Sequence, residues 1–255
     1  MISLADSFKS NRVFLCLWLA SMVALTIAIC LIDKGTLHLL LCDHHAAWAD
    51  RMLPMLSDTC HWLPYVITVM LLLWRWQAGA FLGSSLLLST LLTQSIKHIV
   101  CAPRPLTWFA EHRPDISLPL TDGVNMHYYL SFPSGHATTF FSLYFGLSFL
   151  FVLYSTMPAS ANRFWGRLFP NQHPFRAKLF PDQQKTPSPD RKASGIVSTL
   201  VQVVCFALAA VSSYSRIYLS QHFALDVLAG MLIGVVSVII VAVVAQRRFG
   251  IQHHS

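Results

Sequence analysis

The sequence predicts an all-α, polytopic membrane protein with six transmembrane helices in one bundle. Two observations carry this prediction. Of the 255 residues, 55% are hydrophobic and 11% are charged, well below the roughly 25% charged fraction of a soluble domain. The apolar residues also fall in long blocks rather than amphipathic stripes, as spans in lipid do and one oversized soluble core does not. A single integral-membrane domain, residues 1–255, is the simplest organisation.

The first block, residues 13–32, is long enough at about 1.5 Å per residue to cross a hydrocarbon core of roughly 30 Å. It follows Lys9 and Arg12 and offers no small-x-small cleavage site before Asp33, so an uncleaved anchor is expected. Blocks at 61–74 and 78–100 are separated only by Arg75-Trp76-Gln77, which fits a tight turn between two spans. The remaining spans are expected at 137–157, 195–213 and 227–245. Between the fourth and fifth, Pro158, Pro170, Pro174, Pro181, Pro187 and Pro189 stand among basic and polar residues. Such a stretch cannot continue a helix, and about 158–193 is expected to be a cytoplasmic loop. The chain shows no internal repeat or low-complexity tract.

Six spans place both termini on one side, and the lysines and arginines choose which. With the termini inside, the cytoplasmic set holds twelve: Lys9, Arg12, Arg75, Arg247, Arg248 and seven within 163–192. The outer set holds six: Lys34, Arg51, Lys97, Arg104, Arg113 and Arg216. The positive-inside rule therefore puts the termini in the cytoplasm. The net charge of +7 is not concentrated on a soluble face, as a nucleic-acid partner would require; it lies between apolar blocks, where it suits anionic headgroups. Cys16, Cys30 and Cys205 lie inside apolar blocks, whereas Cys42, Cys60 and Cys101 fall near outer loops. A Cys42–Cys60 bridge stays open, and no cysteine pair has zinc-ligand spacing.

Three clusters carry chemistry. Lys97 and Arg104 stand at the outer end of the third span, with Pro103 and Pro105 placed to break the helix and bring the arginine back over the lysine. Together they can clamp one phosphate; alone, they also fit a snorkelling lysine and an ordinary loop arginine. Ser131-Phe132-Pro133-Ser134-Gly135-His136 precedes the fourth span and offers free N–H groups at a helix start, where an anion is favoured. A plain N-cap with an interfacial histidine is the competing reading. In the third cluster, Arg216 is followed by His222 and Asp226 at i, i+4 spacing, so that on one helical turn the carboxylate accepts the imidazole Nδ1–H and leaves Nε2 free to attack. A structural His–Asp pair is the alternative. All three clusters lie at span ends that the charge count places on one outer face.

These motifs resemble the signature of the type 2 phosphatidic acid phosphatase and vanadium haloperoxidase superfamily: K-x6-R-P, then P-S-G-H, then S-R-x5-H-x3-D. The match is complete, with Lys97, Arg104 and Pro105, then Pro133 to His136, then Ser215, Arg216, His222 and Asp226. The matched region spans 97–226, and the six-span layout resembles the membrane phosphatases of the superfamily rather than its soluble haloperoxidases. The resemblance implies a lipid phosphatase in which His222 forms a phosphohistidine, Asp226 orients it and His136 protonates the leaving alkoxide. It assigns Lys97, Arg104, Ser134, Gly135 and Arg216 to the phosphoryl oxygens. No metal or other cofactor is needed in that scheme, and His44-His45 reads as a solvated pair rather than a metal site.

The implied partners are a lipid phosphate and the bilayer itself, with no nucleic acid; the oligomeric state stays open. A non-catalytic lipid-binding module is the contrasting class, and the presence of His136, His222 and Asp226 together argues against it. Lipid A, undecaprenyl pyrophosphate, phosphatidylglycerol phosphate and phosphatidic acid all remain open as substrates. An outward site at a bacterial inner membrane, on the periplasmic side, leans toward the first two. The outer segment 106–132 carries Trp108, Phe109, Tyr128, Tyr129 and Phe132 with His112, Arg113 and His127. It reads equally as a lid over the substrate or as an interfacial anchor.

Overall fold

A computed structural model of the chain describes residues 8–156 and 191–250. The expected loop at 158–193 lies outside them, apart from 191–193, which open a helix. Among the described residues the helices are α1 (Arg12–Leu31), α2 (Lys34–Cys42), α3 (Ala47–Asp58), α4 (Leu63–Trp74), α5 (Trp76–Val100), α6 (Pro105–His112), α7 (Gly135–Thr156), α8 (Arg191–Tyr218) and α9 (Ala224–Gly250). A 3-10 turn, Thr59–His61, joins α3 to α4. There is no strand in this set.

The all-α membrane architecture is as expected, but the second span differs. Five helices are long and apolar enough to cross a membrane, and a sixth crossing arises only if α3 and α4, bent by 46° at the 3-10 turn, count as one span. Alone, α4 has 12 residues, or about 18 Å, too short for a core of roughly 30 Å. Asp50, Arg51 and Asp58 disguise α3 as a loop in the sequence. It forms a helix because Ala49, Leu53 and Ser57 recur on one face and are buried, while Trp48, Met52 and Met55 line the other face and are exposed.

The bundle is built around α7. Most of α7 is buried, whereas α1 is largely exposed, and α7 packs on α5, α8 and α9. Phe140, Phe141, Phe145 and Phe149 are fully buried, and Phe14 of α1 meets the Phe145 ring at 4.9 Å and the Phe206 ring of α8 at 5.6 Å. Contact with α9 is closer than side chains allow. A Cβ on Gly230 would stand 2.6 Å from the Ser134 carbonyl oxygen, and one on Gly234 2.6 Å from that of Thr138. This glycine pair at i, i+4 lets two membrane helices meet backbone to backbone.

At the end of the bundle that carries α2 and α6, Asp33 caps α2 by accepting from the N–H groups of Gly35 and Thr36, each at 3.1 Å, and pairs with Arg113 at the end of α6 at 2.7 Å. His38 of α2 is wholly buried. Its Nε2 shares a hydrogen bond with Ser220 Oγ at 3.2 Å, and its ring packs on Phe109 and Phe223. Burial, aided by the Lys34 charge and opposed by Asp226, pushes its pKa from 6.5 down to about 4. His45 is not the solvated residue expected. Its Nδ1 lies 2.7 Å from Asp50, which also accepts the Tyr218 hydroxyl at 2.7 Å, and its ring lies 4.5 Å from that of Tyr218. All six cysteines are free thiols, with Cys42 beside Ser220 and Cys60 beside Thr139.

Three outcomes follow for stability. Gly230→Ala overpacks the α7–α9 contact and should cost about 1–3 kcal/mol in detergent unfolding. Gly195→Ala, where a Cβ meets nothing within 4 Å, should gain up to about 1 kcal/mol. The third outcome concerns pH. Unfolded chains bind a proton at His38 below pH 6.5, whereas the folded protein does not until about 4. The stabilisation is therefore complete above pH 6.5 and lost as pH falls toward 4. Melting wild type beside His38→Asn across that window should show the gap between them shift by roughly 3 kcal/mol against wild type.

Candidate active site

The break after α5 comes earlier than the prolines suggest. Cys101 adopts a left-handed conformation (φ 46°) and its N–H closes on the Lys97 carbonyl at 2.9 Å, ending the helix before Pro103. The following strip runs beside the end of the 106–132 segment: Ser131 N–H donates to Ala102 O at 3.0 Å and Arg104 N–H to Tyr128 O at 2.8 Å. Both cations are buried and held by neutral acceptors. Lys97 Nζ donates to the Leu130 carbonyl at 2.9 Å; Arg104 donates to the carbonyl of Tyr129 at 3.0 Å and to Gln221 Oε1 at 2.9 Å.

Ser134 starts α7. Its Oγ accepts from Ala137 N–H at 3.4 Å, and its own N–H donates to the Asp226 carbonyl at 2.9 Å. The N–H groups of Gly135 and His136 have no protein partner among the described residues, as the first turn of a helix requires. A Cβ on Gly135 would lie 3.9 Å from Lys97 Cε, so the glycine opens toward that cation. His136 packs its ring against His61, with centroids 5.1 Å apart and planes at 88°, and its Nε2 is buried without a partner.

The third cluster is closed by backbone. The Arg216 carbonyl accepts from the N–H groups of Gln221 and His222 at 2.9 and 3.1 Å, folding the turn back on the end of α8, with Ser220 left-handed (φ 50°). The Arg216 side chain is buried, donates to Ser57 Oγ, and leaves its Nε without a partner. The expected hydrogen bond between His222 and Asp226 is not formed. Their Nδ1 and Oδ2 atoms stand 3.6 Å apart, beyond hydrogen-bond range. The reason is local: α9 begins at Ala224, so His222 precedes the helix and the i, i+4 pair does not share a helical turn. Asp226 instead caps α9, its Oδ2 accepting from Phe223 N–H at 2.9 Å and from the Ser131 hydroxyl.

All eight residues singled out by the motifs thus lie at one end of the bundle. His222 is buried, and burial, followed by the charges of Arg104, Arg216 and Lys97, holds its pKa well below the ordinary histidine value. His127, at the exposed edge, is also pushed down, first by partial burial and then by the same three cations. In contrast, His112 stacks on Trp108 and Arg113 is tied to Asp33, so neither reaches the cluster.

Sequence reasoning gave no role to four positioning residues. Gln221, buried, holds Arg104 and donates to the Asn125 carbonyl at 3.2 Å. Ser131 binds Asp226, Ser57 binds Arg216, and Gly230 admits the start of α7. Only the last had a readable signal, the G-x-x-x-G of Gly230 and Gly234. Among the described residues, no three His, Cys, Asp or Glu side chains gather as metal ligands.

Among solved structures, LpxE from Aquifex aeolicus shares the fold, with a TM-score of 0.53 and 19% sequence identity over 81% of this chain and 92% of that one. No curated protein sequence matches the chain. The profile of the PAP2 superfamily matches residues 78–249, which takes in all three motifs and the helices that carry them. The chain belongs to the PAP2 superfamily.

Proposed function

We propose that the protein is a lipid phosphatase of the bacterial inner membrane that hydrolyses a phosphomonoester or pyrophosphate through a phosphohistidine. One observation carries the reading: three buried cations and an open helix start lie at the same end of the bundle as a buried histidine. Lys97, Arg104 and Arg216 take the phosphoryl oxygens together with the Ser134 hydroxyl and the free N–H groups at Gly135 and His136. Phosphoryl transfer depends mainly on such preorganised positive charge.

In the first half-reaction His222 attacks phosphorus while His136 passes a proton to the departing alkoxide. Nucleophile and acid are thereby divided between two histidines. As His222 gains positive character, its 3.6 Å contact with Asp226 tightens, and Ser131 and Phe223 N–H hold the carboxylate for it. Water, relieved of a proton by His136, then attacks the phosphohistidine and frees His222. No step is routed through a metal. The unit is a single domain, with both termini cytoplasmic and the site periplasmic, which suits lipid A or undecaprenyl pyrophosphate.

The test is phosphate release by detergent-purified protein from lipid A, undecaprenyl pyrophosphate, phosphatidylglycerol phosphate and phosphatidic acid, with and without a magnesium chelator. One of the four is expected to dominate, with rates unchanged by chelation. His222→Ala should lower kcat by about 10⁴-fold or more; phosphate release that survives this change contradicts the mechanism, and loss on chelation contradicts the metal-free scheme. Gln221→Leu removes an acceptor from Arg104 but touches no reacting atom, so KM should rise about tenfold with a smaller change in kcat.

A further inference from the structure

His136 is held differently from the charged residues of the site. Lys97, Arg104, Arg216 and Asp226 are each fixed by hydrogen bonds, whereas no hydrogen bond reaches the His136 ring from any described residue. Its neighbours are rings: His61 at 5.1 Å and 88°, and Phe140 at 6.3 Å and 58°. Phe140 lies one turn further along α7 and moves with it. His61 comes from elsewhere, from the last position of the 3-10 turn where the second span bends.

The turn and the end of α3 that leads into it are pinned to the site at three points. Ser57 accepts from Arg216, Cys60 lies beside Thr139 one turn after His136, and His61 meets His136 itself. Thr59 closes the turn by donating its hydroxyl to the Leu56 carbonyl at 2.6 Å. The bend thus carries an imidazole that is exposed on one side and set against the site on the other.

We infer that His61 is a positioning residue for His136: its ring, held edge to face by the break in the second span, fixes the imidazole where it donates to the leaving oxygen. The inference rests on the reading of His136 as the general acid. An edge-to-face contact needs a flat ring rather than a proton, so phenylalanine can replace His61 and alanine cannot. Without the ring, His136 turns freely about its side-chain bonds, and a misplaced acid protonates poorly.

Leaving-group dependence tests this. Benzyl phosphate releases a basic alkoxide that requires protonation, whereas 4-nitrophenyl phosphate of similar size releases an acidic phenol that leaves without it. In kcat/KM, which reads phosphoryl transfer to the enzyme, His61→Ala should lose about 30-fold or more on benzyl phosphate and less than about threefold on 4-nitrophenyl phosphate. His61→Phe should recover the benzyl phosphate rate to within about fivefold of wild type. Equal losses on both substrates, no loss on either, or failure of His61→Phe to recover would each overturn the inference. His136→Ala, run in parallel, separates the layers. If it is selective for benzyl phosphate and His61→Ala is not, only the role of His61 falls; if it is not selective, the reading of His136 as the acid falls first and takes the role of His61 with it.

Discussion

The hydrogen bond from Ser134 N–H to the Asp226 carbonyl is the joint on which the site depends. It ties the start of α7 to the first turn of α9, and it exists only because Gly230 leaves room for the two backbones to touch. Two helix N-termini therefore converge, each with the partial positive charge of its unsatisfied N–H groups. They are treated differently. The start of α9 carries the Asp226 carboxylate, which accepts from Phe223 N–H, whereas the start of α7 has no carboxylate on it and leaves the N–H groups of Gly135 and His136 open. One terminus holds the carboxylate beside His222 and the other remains for an anion.

The same distinction governs the cations. Burying a lysine and two arginines is costly unless each is paired and hydrogen-bonded. Here the hydrogen bonds come from main-chain carbonyls, a glutamine and a serine hydroxyl, none of which cancels charge. Fixed geometry with uncancelled charge is what a phosphate site needs, since a carboxylate salt bridge would have to be broken on every turnover. This also explains the 106–132 segment. Its consecutive carbonyls at Tyr128, Tyr129 and Leu130 receive Arg104 N–H, Arg104 Nε and Lys97 Nζ, so it builds the site's frame with its backbone while Tyr128 and Tyr129 stay exposed.

What the sequence disclosed follows the same physical lines. The long apolar blocks made the spans legible because lipid demands length and hydropathy that few other roles share, and the motif residues were legible because charged and titratable side chains are rare in such a chain. Helix α3 was not, since a half-buried amphipathic helix with Asp50, Arg51 and Asp58 looks like an outer loop until its partner surface is known. The His222–Asp226 spacing suggested a shared helical turn, and the structure starts α9 two residues after the histidine. Gln221 and Ser57 were unreadable for a simpler reason: a neutral polar residue shows its role only through what it touches, and both touch arginines distant in sequence.

The bend in the second span ties these observations together. A straight helix through 47–74 would follow the bundle axis and carry Ser57 and His61 past the site along one line. Bending by 46° at the 3-10 turn instead lays α3 across the end of α8, where Ala49 and Leu53 pack on Tyr218 and Leu219. Ser57 then reaches Arg216 while His61 reaches His136. The short length of α4 goes with that placement: Ser57 and His61 stand just before and at the bend, beside Arg216 and His136, so α4 is left with only the part of the span that follows the 3-10 turn.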